Sequence, residues 1–408
     1  MSPAAHNQDV FDLLAKEHDR QSKCLTLIAS ENHSSGAVRE ALASVLTDKY
    51  AEGYPGRRYY GGCEVGDEIE RLARDRARKL FGVDWANVQP HSGTQANIAA
   101  YLAVMKPGDP MVAMSLNAGG HLSHGYKVNH TGKLFDVKHY GLDESTGLID
   151  YEEVERLAKE HKPKVIVAGG SAYPRLIDWA RFRTIADEVG AVFMADIAHP
   201  AGMIAAGVIP SPVGHAQLIT MTTHKTLRGP RGGMILCDEE RKKKVNSSVF
   251  PGGQGGPFLH AIAGKAIAFG DALQPEFKAY QEQVAANAKA LGEAMLGYGY
   301  ELVTGGTDTH LILVDLRPKG LSGAEVEERC RKANLVVNKN LIPGDPRPAQ
   351  ETSGLRLGTP AVTTRGMDVD GIGKLAECID RLVTKGESEL PEVSAQIAAM
   401  AEKYPLPQ

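Results

Sequence analysis

Short apolar runs alternate with helical stretches through the middle of the chain. Three runs are predicted strands that end in polar residues: KVIVAGG (164–170), AVFMAD (191–196) and QLITMTT (217–223). The stretch RFRTIADEVG (181–190) between the first two is a predicted helix. Continuous apolar strands separated by helices predict an α/β fold with a mostly parallel sheet that is covered on both faces. In such a sheet the chemistry gathers at the carboxyl ends of the strands.

The same pattern divides the chain into parts. Apolar residues followed by charged ones predict an N-terminal helical arm, residues 1–25. A long helical region from about residue 260 to residue 296 precedes the strand-like stretches of a smaller unit. We place a boundary near residue 280, which gives a large domain, residues 26–280, and a smaller C-terminal α/β domain, residues 281–408.

Composition and charge exclude several classes of protein. The 408 residues exceed what one core usually organises, and the net charge of −4 gives no basic surface for nucleic acid or an anionic membrane. No apolar run approaches the roughly 18 residues of a membrane helix, and the N-terminus lacks the features of a signal peptide. The five cysteines are scattered, without a CxxC pair or a zinc spacing. We therefore expect a cytoplasmic protein that acts on small molecules, not on nucleic acid or membranes.

A lysine follows the third predicted strand, in the stretch ITMTTHKTLRGPRGG (219–233). An exposed loop residue is the ordinary alternative for such a lysine. Lys225, however, is flanked by hydroxyl groups and by His224, and the paired glycines that follow favour close approach of the backbone to another object. An amine at the end of a buried strand is partly desolvated, which lowers its pKa and frees its lone pair for attack on a carbonyl. Lys225 is therefore a candidate for a Schiff base.

Asp196 ends the predicted strand 191–196, which we expect to lie next to the strand that leads to Lys225. A buried carboxylate needs a cationic partner, and no lysine or arginine adjoins Asp196 in the sequence. A bound pyridinium would supply that partner. A helix N-cap, or a metal ligand together with His199, are the alternatives.

Two glycine-containing segments could hold a phosphate group. HSGTQAN (91–97) opens a predicted helix, whose first N–H groups and positive dipole end favour an anion, although an ordinary N-cap is the alternative. PGGQGGP (251–257) offers a second backbone cradle. Neither segment is specific by itself.

The segment GGHLSHGYK (119–127) resembles two motifs without satisfying either. Its glycines have the spacing of a P-loop, but Tyr126 stands where the lysine must be. Its histidines lack the further ligands of a zinc site, so we predict no metal. Stacking of a histidine ring on a planar cofactor is the alternative role that this segment leaves open.

The segment KYAEGYPGRRYYGG (49–62) combines four tyrosines, three cations and one acid with glycines and a proline. This composition predicts a loop. A protein-binding patch and an active-site wall with a proton-transfer acid both fit it.

Together these segments resemble the serine hydroxymethyltransferase family, pyridoxal-phosphate (PLP) enzymes of the aspartate-aminotransferase fold (fold type I). The resemblance runs from LIASEN (27–32) to LRLGTP (355–360), more than three quarters of the chain. Seven motifs occur in the family's order: KYAEGYPGRRYYGG, QPHSGTQAN, GGHLSHG, DIAHPAG, TTHKTLRGPRGG, FPGGQGGP and TSGLRLGTPA.

The resemblance implies a PLP site. Lys225 would hold the cofactor through a Schiff base, Asp196 would pair with the pyridine nitrogen, and His121 would stack on the ring. The implied cofactor-binding residues are Ser92, Gly93, Thr94, His121, Ser171, Asp196, His199 and Lys225, with Tyr50 and Gly256 from a second subunit.

The resemblance also implies reversible transfer of the serine hydroxymethyl group to tetrahydrofolate, which gives glycine and 5,10-methylenetetrahydrofolate. Arg356 would clamp the substrate carboxylate through a bidentate ion pair. The implied catalytic residues are Lys225, Glu52, Tyr60 and His224. The implied substrate-binding residues are Arg356, Ser30, Tyr60 and Glu52, and the implied folate-binding residues are Leu116, Leu122, Asn340 and Glu52. The family also implies a homodimer with shared active sites, with a tetramer as the alternative.

Several positions depart from the family's usual pattern around the substrate and folate pockets: Val65, Gly66, Ala118, Thr309 and Gly344. The alternative functions are therefore α-methylserine hydroxymethyl transfer and threonine-type aldol cleavage of β-hydroxy amino acids on the same scaffold. A PLP-binding protein without activity is disfavoured, because the lysine, the arginine and both carboxylates of the implied site are present.

Overall fold

The structure is a computed structural model that describes residues 5–407. Residues 1–4 of the predicted arm and residue 408 lie outside the described residues. The α-helices are α1 (Gln8–Lys23), α2 (Gly36–Leu42), α3 (Glu64–Phe81), α4 (Gly93–Val104), α5 (His130–Leu134), α6 (Tyr151–His161), α7 (Trp179–Val189), α8 (Ala201–Ala205), α9 (Lys242–Val249), α10 (Leu259–Ala272), α11 (Pro275–Gly297), α12 (Gly323–Lys332), α13 (Pro360–Thr364), α14 (Val369–Thr384) and α15 (Leu390–Lys403). Short 3-10 helices occupy Ala5–Asn7, Val45–Asp48, Leu122–His124, Arg317–Lys319 and Gly386–Glu389.

The β-strands form two larger sheets and two short pairs. They are β1 (Leu25–Thr26), β2 (Gly53–Tyr54), β3 (Arg57–Arg58), β4 (Trp85–Asn87), β5 (Pro110–Met114), β6 (Asp136–Tyr140), β7 (Val165–Ala168), β8 (Val192–Asp196), β9 (Leu218–Thr222), β10 (Gly233–Cys237), β11 (Glu301–Leu302), β12 (Leu311–Asp315), β13 (Leu335–Val336), β14 (Asn338–Asn340) and β15 (Gly354–Gly358).

The central sheet has seven strands in the order β4-β10-β9-β8-β7-β5-β6. The pairs between β6 and β9 are all parallel, and β10 is antiparallel to both of its neighbours. Strands β7 to β10 are almost entirely buried, because helices cover both faces and every side chain meets a core. The predicted α/β fold with a mostly parallel sheet is confirmed. The reversal at β10 is an addition that the alternating pattern did not predict.

A second hydrophobic cluster lies around the antiparallel sheet β11-β12-β15-β14 and helices α11, α12, α14 and α15. Leu25 and Leu27, which follow α1 in the chain, belong to this cluster, and β1 pairs in parallel with β13. The start of the predicted large domain therefore packs with the C-terminal unit. The boundary near residue 280 stays a prediction.

The long helical region predicted from 260 to 296 is two helices, α10 and α11, that are separated at Leu273 and Gln274. Pro275 is the first residue of α11, where its missing N–H costs no helical hydrogen bond. None of the helices within residues 5–407 has the length and apolar composition needed to cross a membrane.

Candidate active site

The carboxyl ends of β7, β8 and β9 meet at one edge of the central sheet, beside a cavity of about 330 Å³. Asp196 is the last residue of β8, and Lys225 follows the end of β9 at Thr222. The start of α4 and strand β15 supply further walls. The predicted site residues that line this cavity are Ser30, Ser92, Gly93, Thr94, His121, Ser171, Asp196, His199, His224, Lys225 and Arg356. The structure thus brings them together, while their individual roles stay predictions.

A larger surface groove of about 620 Å³ lies beside Tyr151 and Trp179. Its charged residues Arg175 and Asp308 form an ion pair with each other. The smaller cavity contains buried cations that face it without such a partner, so it is the better candidate for chemistry.

Lys225 is buried, at 8% exposure. Removal from water lowers the pKa of Lys225 to about 8, and the positive charges of Arg356 and Arg231 act in the same direction, whereas the carboxylate of Asp196 opposes them. The backbone is fixed as well, because Asn32 donates a hydrogen bond from Nδ2 to the carbonyl oxygen of Lys225 at 2.9 Å. An amine held in this way becomes nucleophilic near neutral pH.

Asp196 is held as a carboxylate by several donors. Its Oδ2 accepts hydrogen bonds from Asn97 Nδ2 and from His124 Nε2, each at 2.8 Å, and its Oδ1 accepts one from the N–H of Ala198 at 3.0 Å. Burial favours the neutral acid, but the hydrogen bonds from His124 and Asn97 outweigh it and hold the pKa of Asp196 well below its usual range. A charged Asp196 can therefore hold a proton on a ring nitrogen in the cavity.

The segment 91–97 forms a tight turn into α4. Ser92 is the N-cap, and its Oγ accepts from the N–H of Gln95 at 3.2 Å. A Cβ atom at Gly93 would lie 2.7 Å from Cγ2 of Thr222, and one at Gly233 would overlap the carbonyl oxygen of Ser92. The close approach of β9 and β10 to this turn therefore requires glycine at both positions. The first N–H groups of α4 and its positive dipole end face the cavity side of the sheet.

Arg356 lies on β15 and projects into the cavity from the second sheet. Its Nε donates to Asn338 Oδ1 at 3.2 Å and its Nη1 donates to the carbonyl oxygen of Ser171 at 2.8 Å. Burial lowers the pKa of Arg356 to about 10, and no carboxylate among the described residues offsets that burial. A buried guanidinium with unused donors is a site for an external carboxylate.

Three histidines of the cavity, His121, His199 and His224, are neutral because they are buried. Burial lowers the pKa of His121 to about 4, that of His224 to about 3, and that of His199 well below its usual value. His224 Nε2 accepts a hydrogen bond from Arg231 Nη1 at 2.7 Å. His199 Nδ1 shares a hydrogen bond of 3.2 Å with His310 Nε2. Neutral rings can stack on or hydrogen-bond a ligand without adding charge.

Sequence reasoning did not select four residues that the structure places in or behind the site: Asn97, His124, Arg231 and His310. Asn97 and His124 lie within segments that the sequence had already marked, and both bond Asp196. His310 is 111 residues from His199 in the chain. Only a three-dimensional structure could have brought that pair together.

The remaining predicted residues form a second, exposed cluster. Tyr50 donates from its hydroxyl to Glu52 Oε1 at 3.0 Å, its ring meets that of Tyr60 edge-on at 5.1 Å, and it lies against Gly256. None of these four residues lines the cavity, and Tyr50 and Tyr60 are about half exposed. The structure therefore brings them together at the surface of the chain.

None of the predicted folate-binding residues lines this cavity. Leu116 and Leu122 belong to the loop between β5 and α5, where Leu122 is exposed, and neither lines the cavity. Asn340 ends β14 and donates from Nδ2 to the carbonyl oxygen of Leu341 at 2.6 Å. Their role stays a prediction.

Comparisons with known proteins agree with this arrangement. The family model described as serine hydroxymethyltransferase matches residues 4–379. The chain is 56% identical over 402 residues to the serine hydroxymethyltransferase of Myxococcus xanthus (strain DK1622), an alignment that covers 98% of this chain and 96% of that relative.

Proposed function

We propose that this chain, which belongs to the serine hydroxymethyltransferase family, catalyses reversible transfer of the serine hydroxymethyl group to tetrahydrofolate. The products are glycine and 5,10-methylenetetrahydrofolate. The family has PLP fold type I, which agrees with the confirmed α/β architecture. Neither the family nor the relative is named for α-methylserine transfer or aldol cleavage, so serine is the substrate that we propose. The observation that carries the proposal is the buried, unmatched Arg356 in one cavity with Lys225.

The residues of the cavity fit PLP, which the family generally uses together with tetrahydrofolate. Lys225, Arg231 and Arg356 outnumber the single acid Asp196 among the charged residues that line it, which suits a ligand with a phosphate group. The glycine-dependent turn 92–94 would hold the phosphate, and Asp196 would hold the pyridine nitrogen. When bound, PLP supplies an electron sink for a carbanion at the amino-acid Cα.

Lys225 would hold the cofactor covalently and release it when the amino acid arrives. Its lowered pKa keeps a fraction of the amine neutral near pH 8, which this exchange requires. His199 and Ser171 would contact the phenolic oxygen of the ring, and the neutral His121 would stack on its face. His224, beside Lys225, is fixed by its bond from Arg231.

Arg356 would orient the serine carboxylate. Its contacts with Asn338 and the carbonyl oxygen of Ser171 fix the plane of the guanidinium and leave Nη2 for the substrate. Ser30 lines the same cavity and would supply a further hydrogen bond to the substrate. Such a fixed fork holds the bond to be broken in one orientation.

We also propose that the active site is completed in a homodimer. Tyr50, Glu52, Tyr60 and Gly256 would reach the cavity of a second subunit, where Glu52 and Tyr60 would move protons at the hydroxymethyl group. Their clustering on an exposed surface supports this proposal. So does α1, on which four large apolar residues are exposed: Val10, Phe11, Leu13 and Leu14. Leu116, Leu122, Asn340 and Glu52 would form the folate site.

A cytoplasmic location is part of the proposal. All five cysteines are buried and free, and their thiols fit a reducing compartment.

The proposal is tested by turnover. Purified protein supplied with PLP should convert serine to glycine with tetrahydrofolate, and borohydride should fix the cofactor onto Lys225, as detected by peptide mass spectrometry. Faster turnover of α-methylserine, or of threonine without folate, would replace serine transfer by the corresponding alternative. Fixation at another lysine would contradict the assignment of Lys225.

A further inference from the structure

Lys265 is a buried lysine for which the proposed reaction has no use. It lies in α10 at 2% exposure, and its Nζ donates hydrogen bonds to the carbonyl oxygens of Val88 at 2.6 Å, Pro90 at 3.1 Å and Gly233 at 2.9 Å. Three carbonyl acceptors need three N–H donors, which only the ammonium form provides. Burial lowers the pKa of Lys265 to about 7, whereas the carboxylate of Glu70 and the three carbonyl oxygens favour the charged form.

The three carbonyl groups belong to the segment that follows β4 and to the start of β10, which together frame the start of α4. Val88 and Pro90 follow β4 and lead into the turn at Ser92, and Gly233 begins β10. The N–H of Gly233 donates to the carbonyl oxygen of Pro90 at 3.0 Å. The ammonium of Lys265 therefore adds a second connection between two segments that a backbone hydrogen bond already joins. Lys265 therefore ties β10 to the segment that positions Ser92.

Gln254 holds the same segment from its other side. Its Nε2 donates to the carbonyl oxygen of Gln89 at 3.1 Å, and its Oε1 accepts from the N–H of His91 at 3.0 Å. Two side chains, Lys265 and Gln254, thus fix the backbone just before the turn, and Lys265 is the charged one. Gln254 supplies neutral hydrogen bonds, and Lys265 supplies hydrogen bonds together with a buried positive charge.

We propose that Lys265 is a positioning residue for phosphate binding, which fixes the turn 92–94 and adds a buried positive charge behind it. The inference rests on the proposed function, because it takes the phosphate of PLP to bind at this turn. A charge in a buried, low-dielectric position acts on an anion more strongly than one in water. The phosphate group should therefore gain affinity from Lys265, and the rest of the cofactor should not.

The test compares PLP with pyridoxal, which has the same ring and aldehyde but no phosphate. Equilibrium binding of each compound to the full-length apoprotein is measured for the original chain, Lys265→Met and Lys265→Gln. The preference for PLP over pyridoxal should fall by about tenfold to a hundredfold in both variants, the range for loss of interactions with a charged group. The ³¹P resonance of bound PLP should also move in both variants. Pyridoxal affinity should change little.

Arg365→Met is the matched control. Arg365 is another buried cation that donates to backbone carbonyl oxygens, at the ends of α1 and α15. Its loss should lower the melting temperature and leave the preference for PLP over pyridoxal unchanged. This separates a general loss of stability from a loss of phosphate binding.

An unchanged preference in a folded Lys265 variant would overturn the inference, and so would an equal loss of both compounds. Lys265→Gln keeps amide donors for the carbonyl groups, so it carries the test if Lys265→Met does not fold. Failure of the proposed function has a different result: the original chain itself would show no preference for PLP.

Discussion

Two buried regions of this molecule treat positive charge in opposite ways. In the cavity, Arg356 is surrounded by neutral acceptors, and no carboxylate among the described residues offsets its burial. Around Arg58, the guanidinium donates to Asp67 Oδ1 at 2.8 Å and to Glu70 Oε2 at 2.7 Å, and also to the carbonyl oxygens of Ala51 and Gly53. The Arg58 side chain is 4% exposed, so burial itself does not separate the two regions.

The difference shows where each charge finds its partner. Burial opposes the charged form of Arg58, but Glu70 and Asp67 outweigh it and raise the pKa of Arg58, so this network contributes to the fold. Arg356 lowers the stability of the empty protein because its desolvation is not compensated, and Asp196 compensates that of Lys225 only in part. In the proposed function, the anionic partners of these cations would be groups of the bound ligands. Buried charges that lack a charged partner within the chain therefore mark the candidate active site.

The largest expected effect comes from Lys225→Ala. Turnover of serine should fall by about 10⁴-fold or more, because the cavity loses the lysine amine that would exchange the cofactor in the proposed function. PLP should still bind without a covalent link. The assay is glycine formation with tetrahydrofolate, and Lys243→Ala, at an exposed lysine of α9, is the control. Turnover equal to that of the control would exclude Lys225 as the cofactor lysine.

Arg58→Met should lower the free energy of unfolding by about 3–5 kcal/mol, because it leaves the buried Glu70 without its ion-pair partner and leaves Asp67 with only the longer contact to Arg71. Urea unfolding measures this loss. Arg183→Met is the control, since Arg183 pairs with Asp187 on an exposed surface and should cost at most about 1 kcal/mol. Equal losses in the two variants would mean that the buried network is no more stabilising than a surface pair.

Arg356→Leu should have the reverse profile. The KM for serine should rise by about 30-fold or more, because the substrate carboxylate loses its partner. The free energy of unfolding of the empty protein should stay the same or rise, since an unmatched buried charge is removed. Arg356→Lys keeps the charge without the planar fork, so its KM for serine should lie between those of the original chain and Arg356→Leu. A fall in stability with unchanged serine affinity would break the contrast with Arg58.

The smallest effect is one of pH. Burial lowers the pKa of Lys225 from 10.5 to about 8, so in the apoprotein its modification by an amine reagent should have a midpoint near pH 8. The unfolded chain keeps this proton up to about pH 10.5. Lys225 alone should therefore make stability increase with pH between those values. Lys265 should stay unmodified while the protein is folded, because carbonyl groups enclose its amine. Peptide mass spectrometry distinguishes the two lysines.

The strand ends were predictable because they depend on local pattern. Apolar runs that stop at Asp196 and before Lys225 predict a parallel sheet with polar groups at one edge, and the structure has both at that edge. The antiparallel β10 was not predicted, because the paired glycines at its start indicated only a close approach of the backbone to another object. The break before Pro275 had a local signal, the proline itself.

Contacts between distant segments had no such signal. His310 pairs with His199, and Lys265 reaches the carbonyl oxygen of Val88 across 177 residues. Each of these residues is unremarkable in its own segment, and only the packing of α10 and the second sheet gives it a partner. Polar contacts between distant segments are therefore the ones that a single sequence conceals most.

The pairing of β1 with β13 can form only late in synthesis of the chain. Leu25 lies opposite Leu335, and the neighbouring contact between Cys24 and Asn334 spans 310 residues. At about 5–20 residues per second, a ribosome needs roughly 15–60 seconds to add that length of chain. Throughout this interval β1 has no strand to pair with. A chain that is terminated before β13 leaves β1 unpaired, so it should be recognised by chaperones or degraded.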